Sequence, residues 1–326
     1  MPLICRAANR CVGYGMVGLQ ELLDRHQVLL AEGAIIERIR RNRLVPLDPF
    51  VADANLVSDK RGKLLLTRIH REYIDIGQEF KLPMVVLTPT WRASAERVER
   101  AGLKMDVNEA AVRLISQLCS RYKSYRRLMT IGGLVGPKGD AYRPATALSS
   151  DAAMRYHKPQ VEALAFAGVD FILASTLPAV SEATGIARAC NDVGMPCVLS
   201  FVVRPSGEVL DGHLLAAAIR KVQENVMPWP VGFMVNCVHP ANFRGAVEHM
   251  AATPDVKRRV IGLQANTSRK SPETLDGAKS LDAEEPGEFG RQMAEVRREM
   301  GLRIVGGCCG TDATHIRALA EALTRA

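Results

Sequence analysis

A chain of 326 residues, 47% apolar and 24% charged, is long enough to bury one large core and has neither a disordered nor a fibrous composition. Its formal charge of +8 comes from 43 basic and 35 acidic residues that are interspersed; the densest basic stretch, 37–43, has no interleaved aromatics and reads as a solvated helix face, which argues against a nucleic-acid partner and leaves at most an anionic substrate. No apolar run reaches the length of a membrane span, the N-terminus lacks the apolar stretch of a signal peptide, and eight cysteines do not make a disulfide framework, so a cytoplasmic protein without a membrane partner is expected.

In chain order, residues 1–25 are read as an N-terminal extension that contains Cys5 and Cys11, to which no role is assigned. Its closing helix-like stretch, 19–26, is expected to plug the bottom of the domain that follows. From residue 26 onward, short apolar runs alternate with longer amphipathic ones. Runs at 28–31, 84–88, 128–132 and 170–174 predict four strands, and runs at 196–202, 231–236, 260–264 and 302–305 predict four more. Helical periodicity fills the intervals at 63–76, 108–122, 151–167, 180–193, 213–225, 241–252, 286–300 and 313–323. Cys119, Cys190 and Cys197 fall inside these patterns as small core residues. The polar segment 266–285 reads as a long loop after the seventh strand. Eight strand–helix repeats without a linker or compositional break predict a single-domain α/β fold, the (β/α)8 TIM barrel, over residues 26–326.

The most informative stretch is Ile304-Val305-Gly306-Gly307-Cys308-Cys309-Gly310-Thr311. Neighbours on a regular strand point to opposite faces, so a strand cannot aim both sulfurs at one target. Flanking glycines let the backbone leave the strand and turn, which permits convergence. Two convergent thiolates suit a soft or borderline metal, zinc foremost, whereas a vicinal disulfide is strained and rare. A third sulfur is available at Cys237, in Val231-Gly232-Phe233-Met234-Val235-Asn236-Cys237-Val238-His239-Pro240, an apolar run that ends in cysteine before a proline. Counting strands puts Cys237 after the sixth and Cys308 and Cys309 after the eighth, on the C-terminal rim where barrel enzymes hold their chemistry. Taken by themselves, the residues leave two readings open: a three-cysteine metal site, or three unrelated buried thiols.

The strings NCVHP (236–240) and GGCCGT (306–311), in that order, resemble the zinc-dependent homocysteine S-methyltransferase family. That family also includes betaine–homocysteine methyltransferase and the N-terminal module of cobalamin-dependent methionine synthase. RYHKPQ (155–160), AGVD (167–170), SFV (200–202) with Asp211-Gly212, and GGLVGP (132–137) are similar to its other motifs, so the resemblance runs from about residue 28 to the end. It implies a Zn2+ held by Cys237, Cys308 and Cys309, with one open tetrahedral position for a substrate thiol. The zinc-bound substrate thiolate then attacks a methyl group, and no protein residue is the nucleophile.

The same resemblance, read at the strand ends, marks substrate-binding positions. Glu32-Gly33 stands where the family has an Asp-Gly pair that contacts the amino-acid part of the acceptor. Trp91 stands where tyrosine is common; its ring face suits an onium donor, and a packing role at the barrel mouth is the alternative. Asn236 and Asn266 end strands six and seven, with carboxylate binding or loop orientation as roles, and His239 is not an expected ligand. Ser175 occupies the place of a glutamate that pairs with the homocysteine ammonium, and a neutral serine supplies no such counter-charge, which directs attention to thiols without that group.

The expected function is therefore zinc-dependent S-methyl transfer from a small onium donor (S-methylmethionine, S-adenosylmethionine or betaine type) to homocysteine or a related thiol, in methionine biosynthesis. The alternatives are a non-homocysteine thiol acceptor, methyl delivery by a corrinoid protein, or a non-catalytic zinc- or thiol-binding barrel. Partners are the thiol acceptor and the methyl donor, with a homo-oligomer as the remaining class.

Overall fold

A computed structural model describes residues 18–42, 45–248, 250–275 and 282–325. Eight strands close into a parallel barrel in sequence order: β1 Leu29–Ala31, β2 Met84–Leu87, β3 Met129–Val135, β4 Phe171–Leu177, β5 Cys197–Phe201, β6 Gly232–Val238, β7 Val260–Ala265 and β8 Ile304–Gly307. β1 pairs with both β2 and β8, which leaves no open edge. This is the predicted TIM barrel.

The alternation of side chains along each strand divides the core in two. Leu30, Val86, Ile131, Ile172 and Val305 join the layer between sheet and helices. Leu29, Ala31, Val85, Leu87, Phe171, Val198 and Met234 fill the barrel interior, and Leu19, Leu22 and Leu23 of helix Leu19–Arg25 belong to that same interior cluster. The helix sits at the N-terminal end of the strands because Arg303, just ahead of β8, donates from Nη2 to the carbonyl of His26 at 2.6 Å and from Nε to that of Gln27 at 3.1 Å. Residues 1–17, with Cys5 and Cys11, lie outside the described residues, as do 276–281 of the loop after β7.

Local signals set the outer helices. Asp59 and Asp106 cap Lys60–Glu79 and Val107–Ser120 by accepting from backbone amides of the first turn. Asp312 forms a capping box with His315 at the start of Ala313–Thr324. Among the described residues, no helix is long and apolar enough to cross a membrane.

Strand boundaries depart from expectation at the catalytic rim. β4 and β6 run three and two residues past the apolar runs that predicted them: β4 ends at Leu177 rather than 174 and β6 at Val238 rather than 236. Each contains a bulge, after which pairing resumes at Leu177↔Phe201 and Val238↔Ala265. The polar residues at each bulge interrupt the apolar pattern while the ladder continues. In β8, Gly306 and Gly307 also remain in the strand, paired with Gln264 and Ala265. Their glycine is required by close approach and not by a turn: a Cβ on Gly306 would lie 2.8 Å from Ala31 Cβ, and one on Gly307 2.3 Å from Thr311 Oγ1. The turn falls later, at Gly310, with φ +85°.

Because Leu22 is 1% exposed inside the plug, Leu22→Ala should cost about 2–5 kcal/mol of stability, read from the denaturant midpoint.

Candidate metal centre

Three sulfurs meet at the C-terminal ends of β6 and β8. Sγ of Cys237 lies 3.0 Å from Sγ of Cys308, and with Cys309 the trio falls within 4.8 Å of one another. Among the described residues this is the only group of three His, Cys, Asp or Glu ligand atoms so gathered. All three are free thiols. Sulfurs sharing one tetrahedral ion through ~2.3 Å bonds stand roughly 3.8 Å apart, so small adjustments bring the trio onto a common ion. An all-sulfur donor set suits a borderline or soft cation such as zinc. The residues present fit the group. His239 turns away: Nε2 lies 3.3 Å from Glu284 Oε2 and Nδ1 accepts from the amide of Ala241 at 3.1 Å.

The bulge in β6 makes this possible. On a regular strand Asn236 and Cys237 would point to opposite faces. Cys237 instead takes the left-handed conformation, φ +57°, and Thr176, at the β4 bulge, takes φ +65°. Asn236 ties the two together. Its Oδ1 accepts from the amide of Thr176 at 3.0 Å and from Ser200 Oγ at 2.7 Å. Its Nδ2 donates to Thr176 Oγ1 at 2.9 Å and to Cys237 Sγ at 3.2 Å. On the other side, the amide of Cys308 donates to Ala265 O at 2.7 Å, Thr311 Oγ1 donates to Cys308 O at 2.6 Å, and the amide of Thr267 donates to Cys309 O at 3.2 Å. Both sulfur-bearing segments are thus bonded to β7 or the residues just beyond it.

Electrostatically the trio is unequal. Hydrogen bonds from Cys308, then Cys309, with further ones from Tyr142 and Asn236, hold the Cys237 thiol well below its ordinary value. The bond to that thiolate, with burial, pushes Cys308 well up and Cys309 up to about 12. The lowering at Cys237 and the raising at Cys308 and Cys309 share one leading cause, the sulfur–sulfur hydrogen bonds.

The sulfurs wall a cavity of ≈ 330 Å³. Of the sequence-predicted binding residues, Glu32, Gly33, Trp91, Ser175 and Asn236 line it; Asn266 does not, and its buried Oδ1 has no hydrogen-bond partner. Glu32 is 1% exposed and already engaged, with Oε1 2.5 Å from His70 Nδ1 and Oε2 accepting from the amide of Leu87 at 2.9 Å. Trp91 donates from Nε1 to Ser175 O at 3.2 Å, and the Arg92 guanidinium stacks 4.2 Å from a Trp91 ring centroid. One face of the indole is therefore taken. Sequence reasoning missed Tyr142, whose hydroxyl donates to Cys237 Sγ at 3.7 Å, and missed Arg40, Asp53 and Asp140 on the cavity wall. Their only signal was position: Tyr142 and Asp140 lie in the loop after β3, Arg40 and Asp53 in the segment after β1.

The family model described as homocysteine S-methyltransferase matches residues 29–323. The homocysteine S-methyltransferase of Escherichia coli (strain K12) is 25% identical over 318 residues, 92% of this chain and 97% of its own. Betaine–homocysteine S-methyltransferase 1 of Rattus norvegicus is 23% identical over 328 residues, 94% of this chain and 74% of its own. Among solved structures, the metallated form of the homocysteine methyltransferase MmuM from Escherichia coli has the same fold, with a TM-score of 0.74 at 22% identity over 94% of this chain and 99% of that one.

Two outcomes follow from the geometry. Loading a divalent ion onto the trio should expel the protons of Cys308 and Cys309, so affinity should rise with pH by up to roughly a hundredfold per unit near neutrality, measured by competition with a chromogenic chelator. Asn236→Ala removes the link between the two bulges and should lower metal affinity roughly 10- to 100-fold in the same assay.

Proposed function

The chain belongs to the homocysteine S-methyltransferase family, a family of methyltransferases, and from that premise we propose that it moves a methyl group from a small onium donor of S-methylmethionine, S-adenosylmethionine or betaine type to the sulfur of homocysteine or a closely related thiol. The resident metal in this reading is zinc, held by Cys237, Cys308 and Cys309. The observation that carries it is the convergence of three sulfurs on one wall of a substrate-sized cavity at the barrel mouth. A cytoplasmic setting and a role in methionine synthesis belong to the same reading.

When bound, zinc supplies a Lewis acid that favours the thiolate form of an incoming thiol, and three sulfur ligands leave that thiolate electron-rich. The remaining chemistry falls to the chain. The three cysteines act as ligands and not as nucleophiles. Asn236 and Tyr142 hydrogen-bond to Cys237 Sγ, which fixes its direction and draws charge from it. Trp91 lines the cavity and brings an aromatic ring to the site of the onium, although the Arg92 guanidinium already stacks on that ring. In the transfer a C–S bond forms to the acceptor as the onium–methyl bond breaks, and opposite charges cancel. Leu87, Pro89, Leu134 and Ala141 make much of the cavity wall apolar, and an apolar wall opposes a separated ion pair more than the charge-dispersed transition state.

Incubating the purified protein with each donor and each candidate thiol, with mass-spectrometric detection, should give methionine from homocysteine. Cys237→Ala should lose both metal and turnover while its circular dichroism spectrum stays that of the barrel. Full turnover in that variant refutes the three-cysteine reading.

A further inference from the structure

If the acceptor is an amino-acid thiol, as proposed above, its ammonium group must meet a carboxylate, because burying a cation without a partner is costly. Ser175 cannot provide one. Four carboxylates line the cavity: Glu32, Glu37, Asp53 and Asp140. Glu32 is occupied by His70 and the amide of Leu87. Glu37 pairs with Arg41 at 2.7 Å and accepts from the amide of Gly310. Asp140 accepts from the amide of Tyr142 at 2.9 Å and lies 3.4 Å from Arg143 Nε.

Asp53 differs from all three. It is 2% exposed, and its buried Oδ1 has no hydrogen-bond partner. It stands at the N-cap of the short helix Ala54–Ser58, yet its side chain makes no capping bond there, the role aspartate ordinarily takes at such a position. A buried acceptor left open in this way costs stability unless something fills it. Burial pushes its carboxyl up to about 6, against a hydrogen bond to its own backbone amide and then the nearby His70, which pull it back.

We propose that Asp53 is the counter-charge for the acceptor's α-ammonium group, and that it does from the segment after β1 what a glutamate at position 175 would do from the end of β4. The inference rests on the acceptor reading above and names the residue that would give it amino-acid selectivity. On the sequence alone that task fell to Glu32 or to no residue; Asp53 is a further carboxylate that no motif marks.

The test is calorimetric binding of L-homocysteine and of 4-mercaptobutanoate, its analogue without the ammonium, to the metal-loaded protein and to Asp53→Asn. No methyl donor is needed. Homocysteine should bind the variant roughly ten- to a hundredfold more weakly, while 4-mercaptobutanoate binds as before or more tightly. Adding Ser175→Glu to the Asp53→Asn protein should restore homocysteine binding. Unchanged homocysteine affinity in Asp53→Asn overturns the assignment and leaves the acceptor reading standing. Equal weakening of both ligands also overturns it, because Asp53 would then serve only to hold the fold, for example through a water shared with the unpartnered Nε2 of His70. A wild-type protein that binds neither thiol defeats the acceptor reading and this inference together.

Discussion

The barrel mouth depends on one break in the two-residue alternation of β6. Had the strand stayed regular, the Cys237 sulfur would have pointed to the opposite face from Asn236, and no third ligand would face Cys308. The left-handed conformation at Cys237 prevents this, and the ladder resumes at Val238 so that the strand is not lost. Non-glycine residues in that region cost about 1–3 kcal/mol each and persist only where their surroundings hold them. Asn236 is what holds them here. A single amide bonds to the backbone and hydroxyl of Thr176, to Ser200 and to Cys237, so the bulges of β4 and β6 support one another across β5. Two unfavourable residues are thereby fixed by a buried network that is itself satisfied.

Much of this was legible beforehand. All eight strands and all eight principal helices lie where hydrophobic periodicity places them, because buried parallel strands and amphipathic helices leave different patterns. The three sulfurs were legible as well, since rim position follows from a strand count. The illegible part was how the sulfurs converge. The glycines before Cys308 suggest a backbone leaving its strand, whereas Gly306 and Gly307 stay paired and are small because Ala31 and Thr311 press on them. Polar Ser175-Thr176 and Asn236-Cys237 look like strand ends and are bulges inside strands. Nothing in a local pattern separates these cases, for the bulge is settled by a hydrogen bond between residues 60 apart.

Tyr142 and Asp53 were illegible for a related reason. Both come from connecting segments, where no periodicity fixes the direction of a side chain. Their approach to the site is a tertiary fact, produced when the loop after β3 and the segment after β1 come together at the mouth, where Arg97 donates to the carbonyls of both Phe50 and Lys138. His70 shows the same effect from a helix: it reads as one more residue of Lys60–Glu79, yet its ring is fully buried against Glu32.

Metal ligands and counter-charges are also constrained to different degrees. A coordination set demands atoms at fixed separations, so the three cysteines proposed to share one ion, one in β6 and two just after β8, cannot be exchanged piecemeal. A counter-charge acts over a longer distance, because a Coulomb interaction falls off only as the inverse of separation. Any rim loop that delivers a carboxylate can therefore compensate an ammonium group. With Glu32 occupied by His70 and position 175 neutral, the counter-charge proposed at Asp53 comes from a connecting segment while the sulfurs stay at the strand ends. The barrel favours that division, because its strands fix the ligands and its loops are free to vary.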